Sequence, residues 1–139
     1  MENRTEIINK LKAAVAGIAK KRDLKMVILY GSLAKGKTKP DSDVDIAVLG
    51  NNLLTMDNII EIIDDFSAEL AINDIDVKSL HRVDPLFRYQ VTKDGILLYG
   101  NERDFMSFKI YAFRDYVDSA SLFRLKEFLV KKRLRLTSK

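Results

Sequence analysis

The sequence predicts an α/β domain, because patterns typical of helices and of strands alternate along its whole length. At 139 residues the chain has the length of one domain. Its 47% hydrophobic and 32% charged residues match ordinary globular proteins and differ from disordered or collagen-like chains. No internal repeat, low-complexity stretch or linker divides the sequence. We therefore expect one folded unit with a single core.

Two apolar patterns predict the first helix and the first strand. Apolar residues recur at helical spacing over residues 7–18, and Asn3 followed by Glu6 can cap the start of this helix. Residues 26–30 form an unbroken apolar run rich in β-formers, which predicts a buried strand. The strand ends abruptly at Gly31, where a turn that can include one short helical turn leads into a loop.

The second strand, the second helix and the third strand come next. Residues 43–49 alternate at first and then become apolar, as a strand does when it leaves an exposed edge for the core. Thr55 or Asp57 can cap a second helix whose apolar positions continue to residue 70. Residues 75–80 alternate again, which predicts the third strand.

The remainder of the chain predicts two further helices and a short strand. Asp84 and Pro85 make a good helix start, since proline suits the first helical position and aspartate accepts hydrogen bonds from backbone amides. Gly95 ends this helix, and residues 96–99 form a fourth strand. From Arg103 onward the spacing favours a long or paired helical segment with a basic tail. It carries more aromatic residues than one helical stripe can bury. Core packing against the sheet is their simplest use, and contact of some of them with another protein is the alternative.

The composition excludes several kinds of functional site. Without cysteine there are no disulfides, thiolate nucleophiles or cysteine-zinc sites, and a single histidine, His81, excludes a multi-histidine metal site. No apolar run has the length of a membrane span, and the charged N-terminus lacks the apolar core of a signal peptide. We therefore expect a cytoplasmic protein with no membrane partner. The formal charge of +4 suits a nucleotide, a nucleic acid or an acidic protein surface.

A pair of carboxylates is the strongest chemical signal in the sequence. Asp43 and Asp45 are two apart on a predicted strand, so they point to the same face. Neighbouring carboxylates repel each other unless a cation neutralises them, and such oxygen ligands suit Mg²⁺ or Mn²⁺. Asp76 supplies a third carboxylate if its strand lies beside theirs, and Asp74 competes with it for that position. The alternative is that Asp43 and Asp45 are the solvated side of an exposed strand.

A glycine turn precedes these carboxylates. Gly31 lets backbone amides approach a ligand closely, and the Ser32 hydroxyl adds a donor, so the pair can cradle a phosphate. Taken alone, Gly-Ser after a strand is usually only a turn. The spacing of ten residues before the first aspartate favours the functional interpretation. The lysines of the intervening loop can steer a triphosphate to the site or can simply be solvated; they are Lys35, Lys37 and Lys39.

Together these residues resemble the signature of the DNA polymerase β-type nucleotidyltransferase superfamily. The resembling motif consists of Gly31-Ser32, ten residues, Asp43-x-Asp45 and the later Asp76. Within the superfamily, residues 27–99 look most like the minimal nucleotidyltransferase (MNT) antitoxins of the MntA kind, which pair with HEPN ribonuclease toxins. The resemblance also includes Asp41-Ser42, Asp74-Ile75-Asp76 and the stretch at residues 95–99.

The resemblance implies a fold and a set of site residues. The fold is polymerase β palm-like, with a small mixed β-sheet flanked by helices. Asp43 and Asp45 become Mg²⁺ ligands, with Mn²⁺ as a possible substitute. Asp76 becomes the third carboxylate, either as a metal ligand or as the base that takes the acceptor's proton.

The same resemblance assigns the nucleotide-binding residues. Gly31 and Ser32 become the grip on the triphosphate of ATP. Relatives often have arginine at the position of Lys35. If Lys35 binds phosphate, its ammonium keeps the positive charge but cannot form the bidentate hydrogen bonds of an arginine. The implied division of the chain is a nucleotidyltransferase domain at residues 1–100 and, at residues 101–139, a C-terminal helical extension of the same domain with a basic tail.

The implied reaction is transfer of AMP from ATP to a tyrosine hydroxyl of a cognate HEPN toxin, which neutralises the toxin. Larger relatives carry an additional helical domain that helps to bind the acceptor, and we expect this chain to rely on a partner surface instead. The expected partners are the toxin and ATP, in a homodimer or a hetero-oligomer with the toxin, and nucleic acid is not expected as the main partner.

Two other functions stay open. In the first, the same chemistry acts on an RNA end or on a small-molecule hydroxyl. In the second, the chain is a binding protein that silences a toxin by covering it, with an idle active site.

Overall fold

The computed structural model describes residues 4–36, 43–70, 72 and 74–137. Within these residues, helices and strands follow the predicted order. The elements are α1 (Arg4–Lys21), β1 (Leu24–Tyr30), β2 (Val44–Gly50), α2 (Met56–Leu70), β3 (Ile75–Ser79), α3 (Pro85–Asp94), β4 (Ile96–Tyr99) and α4 (Glu102–Thr137). The cap expected at Asn3 lies outside the described residues, as do Lys37, Lys39 and the pair Asp41-Ser42.

The described strands form one mixed sheet in the order β3-β2-β1-β4. β1 pairs antiparallel with β2 and with β4, whereas β2 and β3 run parallel. The parallel pair requires a crossover connection, which α2 provides. The prediction of a small mixed sheet flanked by helices is confirmed, and so is the placement of the third strand beside the second.

Local chemistry at the helix ends agrees with the sequence. The Thr55 hydroxyl accepts from the Asn58 amide at 3.2 Å, and the Asn58 side chain accepts from the Thr55 amide at 2.9 Å, which caps α2 reciprocally. The Asp84 carboxylate accepts from the Leu86 amide at 2.8 Å and caps α3. Both caps satisfy backbone donors that a helix start leaves without an intrahelical partner.

Gly95 ends α3 as predicted, but its backbone is not in the left-handed conformation that glycine often adopts after a helix. Its φ of −74° and ψ of 153° are extended values that any residue adopts. The constraint is space, because a Cβ at this position would overlap the carbonyl oxygen of Val91 and the side chain of Ile28. Glycine therefore lets the chain pass closely over β1 as it enters β4.

The helices cover both faces of the sheet. On one face, α1 and α2 pack against alternate strand residues and bury the larger core. Buried members of this core include Leu11, Val15, Val27, Leu29, Ile46, Val48, Ile62 and Phe66. On the other face, α3 and the start of α4 bury a smaller cluster. Its buried members are Met26, Ile28, Ala47, Leu80, Val91 and Phe105.

The C-terminal helix is one continuous helix of 36 residues, about 54 Å long, rather than a pair of helices. Its first half packs on α3, where Arg88 forms an ion pair with Asp115 at 3.1 Å and Tyr89 contacts the rings of Phe113 and Tyr116. Arg88 and Tyr89 therefore pack α3 against α4. Every residue from 121 to 137 is exposed, so core packing uses only part of the aromatic set.

No helix in the described part of the chain is both long enough and apolar enough to cross a membrane.

Candidate active site

The register of the sheet brings polar side chains of three neighbouring strands together. Asp45 on β2 lies opposite Asp76 on the parallel strand β3 and opposite Tyr30 on the antiparallel strand β1. Adjacent strands are about 4.8 Å apart, so the three residues form a row across one end of the sheet. Asp43 comes directly before β2 and shares the face of Asp45 by alternation.

This polar row occupies the face of the sheet that α3 covers. Val44 and Ile46 are buried in the core under α1 and α2, while Ala47, on the same side as Asp45, packs in the smaller cluster. Val77 is likewise buried on the α1 and α2 side, so Asp76 points the other way. The apolar neighbours therefore face the larger core, and Asp45 and Asp76 face away from it.

The row concentrates negative charge. Partial burial raises the pKa of Asp45, and the negative charges of Asp76 and Asp43 raise it further, against the opposing effect of Lys78. Burial also raises the pKa of Tyr30 well above its ordinary value, and the charges of Asp45 and Asp76 add to this effect. The ionised form of Asp45 is therefore destabilised, and a bound cation would offset this destabilisation.

Lys78 is a neighbour that sequence reasoning missed. Its ammonium lies 3.9 Å from the Asp76 carboxylate, and both side chains are about half exposed. Residues two apart on a strand share a face, so the Asp-Val-Lys sequence of β3 contained the signal for this contact. Lys78 partly neutralises the row and lies at its solvent side.

Gly31 brings the end of β1 into contact with Asp45. Its φ of +79° is a left-handed value that favours glycine. A Cβ on Gly31 would overlap Oδ2 of Asp45 and lie 3.1 Å from its Cγ. No side chain fits there, so the glycine turn and the carboxylate row form one site.

A single helical turn follows this glycine. The Lys35 amide donates to the Gly31 carbonyl at 3.1 Å, and the Gly36 amide donates to the Leu33 carbonyl at 3.3 Å. Leu33 and Ala34 are buried and anchor the turn, while Ser32 is exposed at its start. The short helical turn expected after Gly31 is thus present, with the serine on its open side.

Arg4 fixes the far end of this turn. Its guanidinium donates from Nε to the Leu33 carbonyl at 2.9 Å and from Nη2 to the Ala34 carbonyl at 2.7 Å. These are charge-assisted bonds, and at the Leu33 carbonyl the guanidinium adds to the bond that the Gly36 amide already donates. Arg4 lies in the first turn of α1, far away in sequence, and no local pattern pointed to it.

Lys35 is the remaining predicted site residue. Its ammonium lies 4.0 Å from the Asp94 carboxylate at the end of α3, and both side chains are largely exposed. An exposed pair of this kind contributes little to stability and leaves the ammonium able to exchange partners. A role in binding phosphate stays a prediction.

The structure thus places Asp45 against the Gly31 turn, Asp76 beside Asp45 in register, and Asp43 on the same face directly before β2. In the described ranges, no three or more His, Cys, Asp or Glu side chains are arranged to hold a metal ion as they stand. The donor set is nevertheless of the hard-oxygen kind that Mg²⁺ prefers, and the raised pKa of Asp45 marks a place that favours a cation. The assignment of the three carboxylates as metal ligands stays a prediction.

Comparison with known proteins gives one family and several similar structures. Residues 12–104 match the family described as Polymerase beta, Nucleotidyltransferase. None of the curated proteins matches the chain.

Three solved structures illustrate the similarity. A chain of a toxin-antitoxin complex with AMP-PNP superposes with a TM-score of 0.74 at 22% identity, covering 86% of this chain and 97% of that one. A chain of the tri-AMPylated Shewanella oneidensis HEPN toxin in complex with MNT antitoxin gives 0.70 at 20% identity, with coverages of 88% and 98%. A chain of the MntA-HepT toxin-antitoxin gives 0.68 at 20% identity, with 86% and 96%. At these identities the likeness shows the fold.

Proposed function

Because the chain belongs to the polymerase β-type nucleotidyltransferase family, we propose that it is an antitoxin enzyme that transfers AMP from ATP to a tyrosine of a HEPN toxin. The observation that carries this proposal is the register of Asp45 with Asp76, directly beside the Gly31 turn. It joins a carboxylate row to a glycine turn whose start is open, and nucleotidyl transfer needs both a cation-binding group and a phosphate-binding group. Without that contact the two features would be unrelated surface residues.

The carboxylates fit a divalent cation. Asp43 and Asp45 would hold Mg²⁺, with Asp76 as a further ligand or as the base. When bound, the ion supplies charge neutralisation at the phosphates and lowers the pKa of the attacking hydroxyl. The repulsion that raises the pKa of Asp45 would be relieved in that state.

The remaining residues position the nucleotide. The backbone of Gly31 and the hydroxyl of Ser32 would bind phosphate oxygens at the open start of the helical turn. Arg4 holds the turn in place through its hydrogen bonds to the Leu33 and Ala34 carbonyls. Lys78 limits the negative charge on the row, which would otherwise repel the triphosphate.

The bond changes balance without any other reagent. The tyrosine oxygen forms a bond to the α-phosphorus of ATP, and the bond from that phosphorus to the bridging oxygen breaks. Pyrophosphate leaves with the electron pair of the broken bond. The tyrosine proton passes to Asp76 or to solvent, depending on whether Asp76 serves as base or as metal ligand.

Two similar structures support the choice of acceptor and nucleotide. One is a complex of a tri-AMPylated HEPN toxin with MNT antitoxin, and another is a toxin-antitoxin bound to AMP-PNP. We carry over from them the HEPN toxin as acceptor and ATP as donor. With ATP as its substrate, the reaction would take place in the cytoplasm.

Labelling tests this proposal. Purified protein with Mg²⁺, α-labelled ATP and the HEPN toxin encoded beside it should place label on the toxin. Asp43→Ala and Asp45→Ala should each lower labelling by at least about 100-fold, because removing a metal ligand removes charge stabilisation from the transition state. Asp64→Ala, an exposed carboxylate on α2, is the control and should label at the wild-type rate. Absence of label on the toxin with the wild-type protein would refute the proposal.

The same assay separates the alternatives. Label on RNA ends or a small-molecule hydroxyl in the absence of toxin would favour a different acceptor. Protection of cells from the toxin by Asp45→Ala would favour a binding protein with an idle site. Comparison of Asp76→Ala with Asp74→Ala tests the third position, where we expect only the Asp76 variant to lose activity because only Asp76 is in register with Asp45.

A further inference from the structure

The second half of α4 is an exposed helix with many apolar side chains. Residues 121–137 extend about 25 Å and are exposed throughout. Eight large apolar side chains here are 50% to 70% exposed. Together they form more exposed apolar surface than isolated surface residues do. They are Leu122, Phe123, Leu125, Phe128, Leu129, Val130, Leu134 and Leu136.

Seven of these eight apolar residues form two stripes rather than one face, and Phe128 lies outside both stripes. At about 100° per residue, Leu122, Leu125, Leu129 and Leu136 lie along one side of the helix. Phe123, Val130 and Leu134 lie along a second side, about a quarter to a third of a turn away. Lys126 and Arg133 lie between the stripes. A helix lying on a lipid surface presents a single apolar face, so this pattern does not favour a membrane.

The charge of this segment opposes pairing with a second copy. It contains one acidic residue, Glu127, against six basic residues. The basic residues are Arg124, Lys126, Lys131, Lys132, Arg133 and Arg135. Two copies side by side, parallel or antiparallel, would bring like charges together along the whole contact. Acidic side chains on the partner would instead be complementary.

We propose that residues 121–137 dock between two apolar elements of a partner protein that carries acidic side chains between those elements. Two stripes separated by basic residues require a partner that contacts the helix on two sides, as a groove between two helices does. Each stripe would contact one of the two elements, and Lys126 and Arg133 would meet the acidic side chains between them. Identifying this partner as the HEPN toxin rests on the proposed function.

Binding measurements with four variants test this interface. The full-length chain is titrated with the purified HEPN toxin at low and at high salt. Leu125→Glu with Leu129→Glu should weaken binding by at least about tenfold, since it places charges in the contact made by the leucine stripe. Lys126→Glu with Arg133→Glu should weaken binding at low salt and flatten its salt dependence. Ile60→Glu and Lys12→Glu, exposed positions on α2 and α1, are matched controls and should bind as the wild type does.

The outcomes are decisive in each direction. The inference is overturned if the helix variants bind the toxin as tightly as the wild type, or if the wild type does not bind it at all. It is also overturned if the isolated chain is a dimer that Leu125→Glu dissociates, or if these residues mediate binding to vesicles of anionic and neutral phospholipid.

Labelling of the toxin in the same preparations separates this inference from the proposed reaction. If the helix variants lose binding and the wild type transfers no AMP, the interface stands and the reaction fails. If the wild type labels the toxin and the helix variants still bind it as the wild type does, the reaction stands and the interface fails.

Discussion

Asp45 is the residue on which the electrostatics of the candidate site converge. It lies between Asp76 and Tyr30 in the register of the sheet and against the Gly31 backbone. Burial and the two other carboxylates all favour its neutral form. A residue in this position would stabilise a bound cation and, without one, weakens the fold at neutral pH.

The raised pKa of Asp45 gives a stability prediction. The folded-state pKa of Asp45 is raised above its ordinary value of 3.8, so the stabilising contribution is present below that value and is lost as pH rises through the raised pKa. Asp45→Asn cannot ionise, and its melting temperature in EDTA at about pH 7 should therefore exceed that of the wild type. At about pH 3 the two proteins should melt together. A variant that melts below the wild type at about pH 7 would contradict this account.

Arg4 gives a second prediction at the residue scale. Arg4→Ala removes two charge-assisted bonds from the carbonyl end of residues 31–36, the turn that we propose binds phosphate and call the phosphate turn. It should cost about 1–3 kcal/mol of unfolding free energy. It should also raise KM for ATP while leaving kcat less affected, because in the proposed function the turn binds phosphate and does not react.

The control for Arg4 is Arg22→Ala. Arg22 pairs with Asp65 at 2.7 Å and with Glu61 at 2.8 Å, between α1 and α2. Its loss should lower stability and leave KM for ATP unchanged. Equal KM values for both variants would show that Arg4 acts only on the fold.

At the scale of elements, His81 connects the end of β2 to the segment after β3. The Gly50 amide donates to Nε2 of His81 at 3.0 Å, which requires that nitrogen to be unprotonated. Burial and the positive charge of Arg88 lower the pKa of His81 below its ordinary value of 6.5. The unfolded chain therefore takes up this proton more readily than the folded one.

Stability should accordingly fall as pH drops through 6.5 toward the lowered pKa of His81. Melting temperatures of the wild type and His81→Gln, compared at about pH 7.5 and about pH 5.5, measure this effect. The wild type should lose more than the variant, because glutamine can accept the same bond without titrating. Carboxylates contribute equally to both proteins, so identical losses would contradict a role for His81.

Elements were predictable from sequence where a local pattern decides them. The Asp84 cap, the Thr55 cap and the strand endings all depend on neighbours within a few residues, and each is present in the structure. The spacing from Arg103 onward did not decide between a paired segment and a single helix. The reason that Gly95 must be glycine was also hidden, since it depends on the proximity of Ile28.

At the scale of the whole molecule, the topology of the sheet determines the site. Asp43 and Asp45 could be placed on one face from the strand period alone, but the contribution of Asp76 required β3 to pair beside β2. Arg4 was not predictable, because α1 and the phosphate turn meet only in the folded chain. Residues 1–100 carry every candidate site residue, and we propose that residues 101–139 serve as a helical extension for partner contact.

The central claim is that carboxylates of two neighbouring strands bind a divalent cation beside the phosphate turn. Mn²⁺ binding, followed by electron paramagnetic resonance with a non-hydrolysable ATP analogue present, tests it most directly because it does not depend on turnover. The account predicts that the wild type and Asp64→Asn bind Mn²⁺, and that Asp45→Asn and Asp43→Asn bind at least about tenfold more weakly. Equal Mn²⁺ affinity in the wild type and Asp45→Asn would contradict it.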